Sequence, residues 1–135
     1  EGAELLTGGK RIGDEGYFVE PTVFTNAKPG MKIVEEEIFG PVQTIQSFAD
    51  EDLEGIARKA NETIFGLSAY IWTQNLSTAH KLAGLIKAGV VQVNAAAAPE
   101  TALPFGGYKQ SGMGRERGRS GVEMYTEVKS VLMAL

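Results

Sequence analysis

There is no cysteine among the 135 residues of this chain, and a single histidine, His80. The first absence excludes disulfides, thiolate metal sites and a cysteine nucleophile. The second leaves too few imidazoles for a histidine metal cluster or a Ser–His triad. No apolar run approaches the roughly 18–20 residues needed to cross a bilayer, and no signal-peptide pattern opens the sequence. No membrane partner is expected, and a soluble, cytoplasmic protein is the default. Positive charge is not in excess: 13 Lys and Arg stand against 17 Asp and Glu, a net charge of -4. A nucleic-acid partner, which calls for a basic face to neutralise phosphates, is therefore not expected. Repeats and low-complexity tracts are lacking apart from the four alanines Ala95 to Ala98. An initiator methionine is lacking too. The chain opens on Glu1 and enters an apolar stretch almost at once, so it is expected to be a piece of a longer polypeptide, and an organelle address upstream stays open.

What is present is an ordinary globular composition, 43% hydrophobic and 22% charged, enough for one hydrophobic core. Tyr17 to Thr25 is rich in β-branched and aromatic residues, with Pro21 demoting part of it to an edge or a bulge. Val42 to Phe48 alternates as a half-buried strand. Asp50 is the expected N-cap of a helix with Glu51, Asp52 and Glu54 in its first turn, and Leu53, Ile56, Ala57 and Ala60 form its buried stripe. Leu67 to Thr73 reads as a strand. Asn75 or Ser77 caps a helix with Ala79, Leu82, Ala83 and Ile86 inward, and Gly89 is expected to end it in the left-handed conformation. Val90 to Asn94 is a further strand, followed by a long loop to about Gly118, a helix around Gly121 to Glu127 and a strand at Ser130 to Leu135. Strands alternating with helices predict an α/β fold with a mainly parallel sheet and flanking helices. Ligands in such sheets sit beyond the carboxyl ends of the strands, which directs attention to the loop after Asn94 and the segment before Val42.

Two runs in those places carry chemistry. In EEIFGPV (Glu36 to Val42) the acids precede an aromatic and a Gly-Pro turn. A bare glutamate run is ordinarily a solvated turn. Here Ile38, Phe39, Gly40 and Pro41 are expected to fix the backbone and bury a ring beside the acids. A carboxylate so held can accept both hydroxyl protons of a ribose diol. The second run, PFGGYKQSGMGRERG (Pro104 to Gly118), superficially resembles a phosphate cradle. Gly112, Gly114 and Gly118 miss GxGxxG by one position, because Arg117 stands where the third glycine belongs, and no GK[ST] follows. Lys109, Arg115, Arg117 and Arg119 point to anions, diluted by Glu116 and Glu123. His80 is expected on a helix surface or partly buried, and Tyr70 and Trp72 are expected to be packing residues.

Taken together and in order, these runs resemble the aldehyde dehydrogenase superfamily, specifically its C-terminal part. The resemblance covers essentially the whole chain. GYFVEPTVF (Gly16 to Phe24), EEIFGPV, NETIFGLSA (Asn61 to Ala69), IWTQNLSTA (Ile71 to Ala79), VQVN (Val91 to Asn94), PFGGYKQSGMGRERG and YTEVKSV (Tyr125 to Val131) carry it.

The resemblance implies an NAD- or NADP-dependent enzyme that oxidises an aldehyde to a carboxylic acid. Residues 1–127 then belong to the catalytic domain, and residues 128–135 form a terminal strand for subunit pairing. Glu37 matches the glutamate that holds the nicotinamide ribose, and Phe39 the aromatic that packs against the same end of the cofactor. Phe105 matches an aromatic lining the aldehyde tunnel. Glu116 matches a glutamate assigned, in betaine-aldehyde-dehydrogenase-like members, to a proton or charge relay. Main-chain oxygens at Lys109 and Gly112 match positions that hold a monovalent cation. In the family a cysteine thiolate attacks the aldehyde, hydride passes to the nicotinamide, and a glutamate-activated water releases the acid. All of those groups lie upstream of the matching segment, so this chain alone is expected to be inactive.

The resemblance also implies a homo-oligomeric parent, since Ser130 to Leu135 is similar to the segment that pairs with a neighbouring subunit's sheet, and an unpaired strand edge invites such augmentation. The small side chains of Ala95 to Leu103 suggest a roomier acyl pocket than relatives with larger residues there. Two other readings stand beside the enzyme fragment. One is a short non-catalytic family member acting as an assembly module. The other is a small independent nucleotide-binding module resting on Glu37 and Phe39.

Overall fold

The computed structural model describes residues 1–49, 52–96 and 100–135. The chain divides into two compact units, Glu1–Glu51 and Asp52–Leu135.

In the first unit, β1 (Glu4–Thr7), β2 (Thr22–Thr25) and β3 (Val42–Thr44) form a sheet in that order, with the short helix α1 (Lys32–Glu35) between β2 and β3. β1 and β2 are antiparallel, and β2 and β3 are parallel with Thr22 opposite Val42. Only the end of the expected Tyr17–Thr25 strand joins the ladder. Pro21 has no N–H to donate, and before it only Val19 pairs, in an isolated bridge with Arg11. The Arg11 guanidinium braces that excursion by donating to the carbonyls of Asp14 and Gly16, both at 2.9 Å. The expected Val42–Phe48 strand likewise stops at Thr44. Its ladder partner β2 ends at Thr25, and Asn26 turns away at φ 53°. Ala27 and Met31 are the buried apolar residues here, and Thr22 is buried with them.

In the second unit, α2 (Leu53–Asn61) precedes a β–α–β crossover: β4 (Ser68–Ile71), α3 (Leu76–Leu85) and β5 (Val90–Val93). β4 and β5 are parallel, Ser68 opposite Val90 and Ile71 opposite Val93. The α/β character and the parallel pairing agree with the sequence pattern. Ala57, Ile71 and Leu82 are the buried centre, with Leu53, Ile56, Ala83, Ile86 and Val91 packed on it. The two helices thus cover one face of the β4–β5 pair. Tyr70 and Trp72 alternate with that inward set and fall on the opposite face, where Trp72 is 68% exposed. They are not packing residues within this unit.

Helix ends follow their caps more than their periodicity. Asp52 caps α2 by accepting from the Gly55 N–H at 2.7 Å. The expected cap, Asp50, lies with Glu51 outside the described residues. Asn75 caps α3, accepting from the Thr78 N–H at 3.1 Å. That helix ends at Leu85 with Ile86 already extended, and Gly89 is not in the left-handed region. Gly89 is needed for room, since a Cβ there would overlap the Gly106 carbonyl. The last helix, α4 (Gly118–Glu123), begins a turn earlier than expected. Ser130 to Leu135, expected as a strand, has no ladder partner and is exposed in the single chain. β-structure exists only through pairing, so the segment takes no regular form without a second strand.

Candidate functional site

The EEIFGPV turn belongs to the first unit. Glu36 ends α1, its N–H donating to Lys32 O at 2.8 Å. Gly40 donates to Ile38 O, and Val42 donates to Gly40 O at 2.8 Å, which closes a tight reversal into β3. Thr22 at the start of β2 donates to Pro41 O at 2.8 Å and anchors that reversal to the sheet. The backbone is fixed as expected, but the ring is not buried. Residues 37–41 are all exposed, so no apolar surface of the unit covers Phe39, which stands 93% exposed. Glu37 makes no hydrogen bond or ion pair among the described residues. The turn therefore presents an accepting carboxylate and an uncovered ring on an anchored backbone. A carboxylate can only accept, so it suits a pair of hydroxyl donors. An uncovered aromatic suits a flat partner. Such a pairing suits a ligand that carries hydroxyl donors beside a flat ring.

The glycine-rich loop belongs to the second unit. It closes on itself through an antiparallel bridge: Phe105 donates to Glu116 O at 2.8 Å and Glu116 donates to Phe105 O at 2.7 Å. The bridge brings these two expected site residues together, with Phe105 half-buried and Glu116 exposed. The loop's cations are engaged internally, which is why it is not a phosphate cradle. Lys109, at φ 53°, donates through Nζ to Asn61 O at 2.9 Å and Thr63 O at 2.8 Å. Arg115 donates to Gly107 O and Gly114 O at 2.9 and 2.6 Å, its guanidinium 5.3 Å from the Tyr108 ring centre. The Arg117 guanidinium lies 5.3 Å from the Phe105 ring centre, and Arg119 pairs with Glu123 at 2.8 Å. Lys109 and Gly112 bracket a 3₁₀ turn, Lys109–Ser111, with Gly112 at φ 125°. Both residues are exposed. Among the described residues no cluster of three His, Asp or Glu side chains is placed to hold a metal.

A cleft of about 990 Å³ opens between this loop and α4, lined by Phe105, Met113, Glu116, Arg117, Met124 and Tyr125 among others. Its lining is mixed, apolar side chains such as Val122 standing beside Arg115, Glu116 and Arg117. His80 is exposed on α3, beside the Lys81–Glu54 ion pair at 3.1 Å, and takes no part in this cleft.

Several residues that brace these elements, in one unit or the other, lie within the motif runs, yet no role is legible for them in sequence. Asn94, at φ 51°, donates to Thr73 O at 2.7 Å and accepts from Thr73 N at 2.9 Å. Asn61 donates to Leu85 O at 2.9 Å and accepts from Lys87 N at 2.7 Å. Ser111 Oγ accepts from the Gly66 N–H at 2.9 Å. Thr22 is the polar residue buried among the described residues, 4% exposed. Asn94 alone carried a positional hint, as a short polar residue directly after the mainly apolar β5 strand.

Comparison with known proteins places this architecture. The sequence profile described as "Aldehyde dehydrogenase family" matches residues 1–131. The chain is 51% identical over 131 residues to "Aldehyde dehydrogenase" of Enchytraeus buchholzi, covering 97% of this chain and 26% of that protein. It is 49% identical over 133 residues to "Aldehyde dehydrogenase family 2 member B4, mitochondrial" of Arabidopsis thaliana, covering 98% and 24%. Among solved structures, the NAD+ complex of aldehyde dehydrogenase from Bacillus cereus superposes with a TM-score of 0.88 at 49% identity, over 96% of this chain and 26% of that one. The chain spans about a quarter of the length of the curated relatives it matches.

Proposed function

The chain belongs to the aldehyde dehydrogenase family, and from that premise we propose that it is the C-terminal part of an NAD- or NADP-dependent enzyme oxidising an aldehyde to a carboxylic acid. Residues 1–127 are then part of the catalytic domain. Residues 128–135 are a strand that pairs with a neighbouring subunit in a homo-oligomer, resident in the cytoplasm or an organelle. The observation that carries the reading is the anchored turn: Glu37 without a partner among the described residues, two positions from a ring left 93% exposed.

When bound, the nicotinamide cofactor supplies the hydride acceptor. Glu37 would accept hydrogen bonds from the ribose hydroxyls, and Phe39 would pack against the same end of the cofactor. The two together restrict the orientations from which hydride can be taken up. Phe105 forms part of the wall that orients the aldehyde, steadied by the Glu116 bridge behind it and the Arg117 guanidinium over its face. Glu116 serves as a proton or charge relay. The main-chain oxygens of Lys109 and Gly112 hold a monovalent cation. With no cysteine in the chain, the nucleophile comes from elsewhere in the enzyme, and this segment by itself does not turn over aldehyde.

Glu37→Gln in the intact enzyme tests the reading. The expected result is a raised KM for the cofactor or a slower hydride step, seen as a larger primary deuterium isotope effect with deuterated aldehyde. Unchanged kinetics would remove the assignment. The exposed apolar tail, with Val128, Leu132 and Leu135 uncovered, also favours a second reading, an assembly module without catalysis of its own. Incorporation of the purified chain into full-length oligomers, with no effect of E37Q on any assembly's turnover, would select it.

A further inference from the structure

Glu37 and Phe39 share an unusual condition: neither is held by its own side chain. Glu37 has no partner among the described residues, and Phe39 has no packing, being 93% exposed. Their placement is set wholly by the backbone between α1 and β3. Beyond its own internal turn bonds, that backbone is fixed at Pro41, whose carbonyl accepts the Thr22 N–H at 2.8 Å. Thr22 is 4% exposed, and its hydroxyl is doubly bonded. It donates to Glu20 O at 2.7 Å and accepts from the Gly9 N–H at 2.8 Å. Both bonds orient the Pro21–Thr22 peptide, the unit whose N–H reaches Pro41. Gly8 allows this closeness, since a Cβ there would overlap the Pro21 carbonyl. Thr22 is also where the β2–β3 ladder begins, opposite Val42, so a shift of Thr22 moves the start of β3 and the turn that leads into it.

We infer that Thr22 is a positioning residue for the cofactor grip, its buried hydroxyl fixing through the Pro41 carbonyl where the Glu37–Phe39 turn stands. The inference rests on the reading of Glu37 and Phe39 as the nicotinamide-side grip. The hydroxyl acts as donor and acceptor at once, so an isosteric methyl cannot replace it. Thr22→Val leaves the Gly9 N–H and the Glu20 carbonyl without their partner in a site closed to water, where an unmet polar group is costly. The backbone relaxes to recover those bonds, and the Pro41 anchor loosens with it.

The test uses the intact enzyme that carries this segment, with Thr22→Val, Thr22→Ser and Glu37→Gln prepared side by side. T22V should raise the KM and the Kd for NAD by about three- to tenfold, the factor that one ordinary hydrogen bond is worth. The KM for aldehyde should stay within twofold of the starting value. Thr22→Ser, which keeps the hydroxyl, should restore NAD binding. Without NAD present, amide exchange at Val42 should be faster in T22V than in T22S. A merely structural role would lower activity in proportion to the folded fraction and leave both KM values unchanged, and that outcome overturns the inference. T22S behaving like T22V overturns it as well. E37Q separates the two levels. If E37Q impairs NAD binding and T22V does not, the inference alone falls; if E37Q has no effect, the cofactor reading falls and takes the inference with it. Should T22V fail to fold, Thr22→Cys, of similar size with a weaker hydrogen-bonding group, is measured against the same two outcomes.

Discussion

Asn94 offers the sharpest test of the second unit's construction, because one residue meets two separate demands there. Its backbone is left-handed at φ 51°. Its side chain both donates to Thr73 O at 2.7 Å and accepts from Thr73 N at 2.9 Å, extending the β4–β5 ladder by one amide after the main chain has turned off. Asparagine is one of the few residues other than glycine that visit this region routinely. At an exposed position the two bonds contribute about 0.5–1 kcal/mol each, and alanine in the left-handed region adds about 1 kcal/mol of strain beyond asparagine. Asn94→Ala should therefore destabilise the chain by about 2–3 kcal/mol. Asn94→Gly loses the bonds but not the conformation and should cost about 1–2 kcal/mol. Asn94→Asp keeps the acceptor, loses the donor and should cost about 1 kcal/mol. Urea titrations followed by far-ultraviolet circular dichroism measure these differences as shifts of midpoint at constant slope. Glycine proving as damaging as alanine would show that the backbone conformation carries no strain. Aspartate proving neutral would show that the donated bond contributes nothing.

Gly89→Ala should lower the urea midpoint by an amount worth about 1–3 kcal/mol, because its Cβ would overlap the Gly106 carbonyl. Gly84→Ala, whose Cβ meets nothing within 4 Å in α3, should raise stability by about 0.4–1 kcal/mol; equal responses would refute the crowding at Gly89. Lys109→Met removes the Nζ bonds to Asn61 O and Thr63 O and should cost about 1–2 kcal/mol. It should also speed amide exchange at Gln110, which donates to Ile64 O at 3.1 Å, and unchanged exchange would mean that the lysine does not fasten the loop. In the intact enzyme, Glu116→Gln should alter the pH–rate profile; an identical profile would leave Glu116 only its main-chain bridge to Phe105.

The helices of the second unit were legible in the sequence, because burial there follows the 3.6-residue period. Leu53, Ile56, Ala57, Leu82, Ala83 and Ile86 all belong to the observed core or pack on it, whereas Ala60, expected in the same stripe, is exposed near the end of α2. Strand lengths were not legible. Val42 to Phe48 alternates throughout, but a ladder continues only while its neighbour does, and β2 stops at Thr25. Gly89 carried the right residue for the wrong reason, since glycine serves left-handed turns and close approaches alike. The exposure of Phe39 was hidden for a related reason: an aromatic beside Gly-Pro says that the backbone turns, not what lies opposite the ring. The loop's arginines and lysine looked like anion ligands because sequence shows charge without its partners. Those partners are carbonyls of Gly107, Gly114, Asn61 and Thr63 and the ring of Tyr108. Thr22 could not be singled out at all, as nothing local distinguishes a buried threonine from a solvated one.

The β4–α3–β5 crossover also sets an order of events when the chain folds. Its ladder joins Ser68–Ile71 to Val90–Val93 across a single helix, so little loop-closure entropy is lost before the contacts form. The bonds from Ser111 to Gly66 and from Lys109 to Asn61 and Thr63 span far more chain. Their partners lie at the end of α2 and on the segment that leads into β4. On the longer span of those bonds, Phe105 and Glu116 are expected to acquire their places after the crossover forms. In refolding kinetics, substitutions in the Ala57–Ile71–Leu82 cluster should slow the folding limb, whereas those at Lys109 or Ser111 should chiefly quicken unfolding.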